Sequence, residues 1–165
     1  MNTSIVDTFN GLPLHVLVVH AAVIVTPVAA LVALALVRPS WRTRLRWPVA
    51  IGLLVAWLLV WLARASGEAL QVAIGDQLSA NQATISALDA HITAANKLNY
   101  VLLTLVVVAV LFAWLLPKLP HAAGTVGAVV IAVLAVLVVG LAVQTGEQGA
   151  RTVWNPDGLQ DYSIK

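Results

Sequence analysis

The chain has no cysteine among its 165 residues. That excludes disulfides, haem attachment through CxxCH, iron–sulfur ligation and thiolate metal sites. Charge is also scarce: 10% of the residues are Asp, Glu, Lys or Arg, where a soluble domain carries about a quarter. No P-loop, nucleophile elbow, HExxH or GxGxxG is present, so nucleotide and hydrolase chemistry find no support and an independent catalytic activity is not expected. What is present is apolar surface, at 61% hydrophobic residues and a mean hydropathy of +0.94. This is the composition of an integral membrane protein with no room for a second folded domain. The sequence pI of about 9.4 does not point to nucleic acid, because the basic residues cluster in one short loop.

Four apolar runs are long enough to cross a bilayer, which takes about 20 helical residues. They are Pro13–Val37, Trp47–Ala65, Leu98–Leu116 and Ala122–Val143. Pro13 suits a first helical turn, and Pro39, Pro48, Pro117 and Pro120 flank the ends on one side. Pro27 lies inside the first run and predicts a bend. The loop RPSWRTRLR holds Arg38, Arg42, Arg44 and Arg46 without an acid, and the PKLPH loop adds Lys118 and His121. The carboxylates Asp7, Glu68, Asp76, Asp89, Glu147, Asp157 and Asp161 all fall on the other side. The positive-inside rule then sets the Arg loop in the cytoplasm and both termini outside the cell inner membrane. The first twelve residues lack a basic n-region, so the first run reads as a retained helix rather than a signal peptide.

Residues 66–97 are too polar for lipid but rich in Ala, Leu and Gln. They predict a helical hairpin extension turning near Gly75-Asp76 or Ser79-Ala80-Asn81. The tail, residues 151–165, holds a type I turn signal at Asn155-Pro156-Asp157-Gly158. The second and fourth runs end alike, in "LARASGE" (Leu62–Glu68) and "LAVQTGE" (Leu141–Glu147). The expected fold is therefore an all-α bundle of four transmembrane helices, built from two tandem helical hairpins about a pseudo-two-fold axis along the membrane normal.

The stretch "LHVLVVH" puts His15 and His20 at the head of the first run. Imidazole must find a partner once it leaves water. Five residues apart on a helix, the two rings project about 140° from one another, so they cannot chelate one small ion together. Counted from the Arg side, His15, His91, Glu68 and Glu147 fall within a few residues of one layer. Arg64 lies near the depth of His20, where it could pair with Glu68 at i,i+4 or with His20.

The opening "GLPLHVLVVHAAVIVTPVAAL", the "SGE" after the second run, His91 and the closing "TGEQGARTVW" resemble the bacterial membrane-protein family catalogued as domain of unknown function 2231. The resemblance implies four transmembrane helices, with no established activity. Some members are joined to a Rieske-type iron–sulfur domain, which implies redox company. Family members have His-Pro where this chain has His15-Val16. On that resemblance His15, His20, His91, Gly67, Gly146, Gly149 and Trp154 are the positions to watch.

Three readings remain open. In the first, a haem b sits between His91 and one of His15 or His20, with Arg64 a partner for a propionate, and the protein passes electrons to a redox or respiratory partner. In the second, His15, His91, Glu68 and Glu147 form a rim for a single transition-metal ion. In the third there is no cofactor, and the bundle is an accessory or scaffold subunit, or forms a homo-oligomer, within the lipid bilayer. Small residues of the fourth run, Gly124, Gly127, Ala128 and Gly140, permit the close helix contacts this would need.

Overall fold

The structure is a computed structural model and describes residues 8–9, 11–78 and 82–159. Two short strands, β1 (Thr8–Phe9) and β2 (Leu12–Pro13), pair antiparallel ahead of the first helix. Gly11 takes a φ of +80°, left-handed backbone that glycine adopts without a Cβ clash. Four helices follow: α1 (Leu14–Ala33), α2 (Pro39–Leu78), α3 (Gln82–Leu115) and α4 (His121–Trp154). Two 3₁₀ turns, Leu34–Val37 and Leu116–Lys118, close α1 and α3. All four helices are long and apolar enough to cross a membrane. A chain in hydrocarbon has no water to satisfy its backbone, and a continuous helix satisfies it internally.

Helix lengths differ from the apolar runs. α2 begins at Pro39 rather than Trp47, so the expected Arg loop is its first two turns and Pro48 lies inside the helix. Pro39 is pre-organised for a first turn, and Leu and Arg are good helix formers. Beyond the apolar run α2 continues through Gly75 to Leu78. Of the two expected turns, Gly75-Asp76 is therefore helical, while Ser79-Ala80-Asn81 falls outside the described residues. α1 remains one helix through Pro27. The turn expected in the tail forms, with the Gly158 N–H donating to Asn155 O at 3.2 Å.

Each helix packs on two neighbours, so that α1 touches α2 and α4, and α3 touches α2 and α4. α1 and α3 are thus diagonal. The core is built of stripes at helical spacing with many small side chains, such as Ala22, Thr26, Ala30 and Ala33 on α1 and Gly124, Ala128, Ile131, Ala135 and Val138 on α4. The Phe112 ring lies so close to Gly127 that a Cβ there would stand 2.8 Å from it. Large apolar side chains face outward instead, among them Ile24, Leu31, Leu58, Val133 and Val136. Helices in lipid associate by close packing, with bulky side chains left to the acyl chains.

Arg42 is buried at the end that carries the arginines. Its Nε donates to Leu36 O at 2.9 Å, one terminal nitrogen to Val37 O at 3.1 Å, and the other to Thr125 Oγ1 on α4 at 3.1 Å. The last carbonyls of a helix lack partners within it and carry partial negative charge, so a guanidinium fork is a natural cap. The residue that reads as a topology signal in the sequence is also a structural clamp on three elements. Arg42→Ala leaves the Leu36 and Val37 carbonyls without their donor and cuts the tie to Thr125, whose hydroxyl keeps only its bond to His121 O. It should cost about 3 kcal/mol in detergent unfolding. Arg42→Lys should recover part of that, and Arg44→Ala, at an exposed position, should be within about 0.5 kcal/mol of the parent.

Candidate functional site

At the opposite end, where the terminal segments enter and leave the bundle, His15 stands in the first turn of α1 and leans across to α2. Its Nδ1 lies 2.8 Å from Ala63 O. His91 makes the same reach from α3 to α4, with Nδ1 3.0 Å from Thr145 O. A carbonyl can only accept, so each Nδ1 carries the proton, and in the neutral ring Nε2 then keeps a bare lone pair.

A helical carbonyl is ordinarily bonded to the N–H four residues on and shielded by the side chain of that residue. Four residues after Ala63 stands Gly67, and four after Thr145 stands Gly149. The rings occupy the vacated space. A Cβ on Gly67 would lie 3.1 Å from His15 Nδ1 and Cε1, and one on Gly149 would lie 3.2 and 3.1 Å from the same atoms of His91. Glycine thus unroofs the carbonyl that the imidazole uses, once on each side of the bundle. On α2, Ser66 Oγ also donates to the i−4 and i−3 carbonyls, Leu62 O at 2.8 Å and Ala63 O at 3.0 Å.

This equivalence corrects the register of the internal repeat. The match between "LARASGE" and "LAVQTGE" pairs Gly67 with Gly146, but the residue that does the work of Gly67 is Gly149, nearly one turn later. Gly146 faces open space. The shift escapes a string comparison because three residues are close to a full turn, so similar small residues recur on the same side.

The other expected site residues are not gathered here. His20 is exposed, and its Nδ1 turns back to Val16 O of its own helix. Of the two histidines in "LHVLVVH", His15 therefore faces the neighbouring helix and His20 faces out. Glu68, with 71% of its side chain exposed, pairs with Arg64 at 3.2 Å, and Glu147 pairs with Arg151 at 2.7 Å. Both are i,i+4 pairs along one helix, so each carboxylate is held beside its own guanidinium rather than turned toward the imidazoles. The rim of His15, His91, Glu68 and Glu147 is not assembled, and among the described residues no group of three or more His, Asp or Glu side chains is placed to hold a metal ion. Arg64 is engaged with Glu68 and not with His20. His121 starts α4 at the arginine end.

His15 and His91 come from diagonal helices yet lie within electrostatic reach of one another, so a positive charge on one opposes a charge on the other. Deeper in the bundle, four polar atoms are buried without a protein partner: Thr26 Oγ1, Trp57 Nε1, Asn96 Oδ1 and Asn99 Oδ1. Thr26 and Asn99 are 1% and 6% exposed. The arrangement offers two oriented imidazoles, each able in its neutral form to ligate a metal or accept a proton through Nε2. Comparison with protein-family models, curated proteins and solved structures finds no match to this chain.

The three glycines separate the contact from mere helix composition. Gly67→Ala and Gly149→Ala should each push a tethered ring aside and cost about 1–2 kcal/mol. Gly146→Ala should be neutral or stabilising by up to about 1 kcal/mol, the ordinary helix-propensity gain. Thermal unfolding of the three variants in one detergent checks both signs.

Proposed function

We propose that this chain is a small redox protein of the bacterial inner membrane that holds haem b between His15 and His91. The supporting observation is the matched pair of Nδ1–H to carbonyl bonds. Histidines that ligate metals commonly donate the other ring nitrogen to a carbonyl or carboxylate, which sets the tautomer and orients the ring. Here that condition is met twice, on diagonal helices, with both Nε2 atoms uncommitted. The donor set fits bis-imidazole ligation. The bound haem would supply one-electron exchange. The chain's own part is to hold the two rings in the Nδ1–H tautomer, to keep the apolar helix faces beneath them dry, and to offer Arg64 as a cation for a propionate.

The proposal includes the membrane frame. Two tandem helical hairpins, α1–α2 and α3–α4, stand about a pseudo-two-fold axis along the membrane normal. Arg38, Arg44 and Arg46 face the cytoplasm, and both termini and the histidines face outward. Electron exchange then takes place near the outer surface, with a redox partner or another copy of the chain. Membership in the family of domain of unknown function 2231, on the residues quoted above, belongs to the same proposal.

A second reading, a cofactor-free accessory bundle, draws on the same contacts, since each imidazole by itself ties one helix to the next over a glycine. The two readings part at haem content. His15→Ala and His91→Ala should each lose most of the haem measured per protein as the pyridine haemochrome, while His20→Ala should retain it. Unchanged haem content in His91→Ala contradicts the ligand assignment.

A further inference from the structure

At the level of the contact between His91 and Thr145, a cavity of about 320 Å³ opens between α3 and α4. Its polar lining comes from Asp89, Thr93 and Lys97 along one face of α3 and from Gln144 and Gln148 along one face of α4. These residues recur every four, so each set stacks on a single helical face. Among the described residues, none of the five side chains has a hydrogen-bond or ion-pair partner in the protein. The volume lies in the range of small-ligand sites.

Two features say what would enter it. The first is level. Lys97 is the last residue before the apolar run of α3 begins at Leu98, and Gln144 is the first after the apolar run of α4 ends at Val143. The cavity therefore straddles the height at which both helices pass from hydrocarbon to headgroups. Side chains on a helix slant toward its N-terminus. On α3 that slant carries the Lys97 ammonium up toward Thr93 and out of the apolar layer.

The second feature is charge. Lys97 and Asp89 are eight residues apart on one face, about 12 Å between their backbones along the axis, and among the described residues they form no ion pair with each other. A purely anionic ligand would satisfy the lysine and oppose the aspartate, and a purely cationic one would do the reverse. A zwitterion with its anionic group inward and its cationic group outward satisfies both. Beneath the cavity, Gly140 lies one turn below Gln144 with open space where a Cβ would stand, and Leu137 is exposed below it. An acyl chain can follow that track.

We infer that the cavity between α3 and α4 is a binding site for a zwitterionic phospholipid, with the phosphodiester on Lys97, Thr93 and the two glutamines and a primary ammonium on Asp89. A primary ammonium donates hydrogen bonds to the carboxylate, and a trimethylated one cannot, so phosphatidylethanolamine is favoured over phosphatidylcholine. The inference does not rest on a haem.

Native mass spectrometry of the full-length protein, titrated with phosphatidylethanolamine, phosphatidylcholine and phosphatidylglycerol, tests it. Phosphatidylethanolamine should be retained about fivefold better than phosphatidylglycerol, the scale of one surface charge contact. Lys97→Gln should weaken retention of every phospholipid, and Asp89→Asn should remove the preference for phosphatidylethanolamine while leaving phosphatidylglycerol bound. Both side chains are exposed and, among the described residues, have no hydrogen-bond or ion-pair partner, so the variants keep the fold. Equal retention of the three lipids, or a preference that survives both substitutions, overturns the inference. So does free phosphoethanolamine binding as tightly as the lipid, which would make the ligand a soluble zwitterion.

Discussion

The structure depends on a hydrogen bond that ordinary helix packing forbids, from an imidazole on one helix into a backbone carbonyl of the next. In a bilayer every backbone group is already committed to its own helix. A carbonyl has a second lone pair, but the side chain four residues on covers it. Gly67 and Gly149 lift that cover for Ala63 O and Thr145 O, and His15 and His91 enter. The same act orients the ring, selects its tautomer and leaves Nε2 bare. One local device thus serves helix association and leaves an oriented Nε2 lone pair, and its repetition between α3 and α4 gives a second one.

Opposite ends of the bundle use the same backbone chemistry with reversed polarity of purpose. At the arginine end, Arg42 closes the last carbonyls of the 3₁₀ turn that follows α1 and reaches α4 through Thr125. That clamp meets carbonyls a helix cannot satisfy itself, whereas the histidines meet carbonyls that already have a partner. Between the two ends the helices are held by small side chains and by the seating of Phe112 on Gly127. Thr26, Trp57 and Asn99 interrupt this apolar middle with polar atoms that no protein group meets. Buried polar groups of this kind commonly hold ordered water.

Hydropathy made the membrane-crossing helices legible, because about 20 apolar residues in a row have few alternatives. It could not show where α2 begins: Pro39 to Arg46 are polar enough to look like a loop, yet their Leu and Arg favour helix. Residues 66–97 read as a helical extension instead, and α2 does run on to Leu78 and α3 does start at Gln82. Counting heights placed His15 and His91 in one layer, and the resemblance pointed to Gly67, Gly146 and Gly149, of which Gly146 faces open space. Nothing in the string distinguishes an outward His20 from an inward His15, since both stand among valines and leucines. The carboxylates were misplaced for a related reason. Depth along a helix says nothing of azimuth, and Arg64 and Arg151 sit where an i,i+4 partner captures Glu68 and Glu147 first.

The central claim is that the two bare imidazole nitrogens hold a redox-active haem. Oxidised and dithionite-reduced visible spectra of detergent-purified protein, produced with ample haem, test it most directly. A Soret band with a sharp α band on reduction is the expected result. A featureless spectrum would contradict the claim and leave the paired histidines as ties between helices alone.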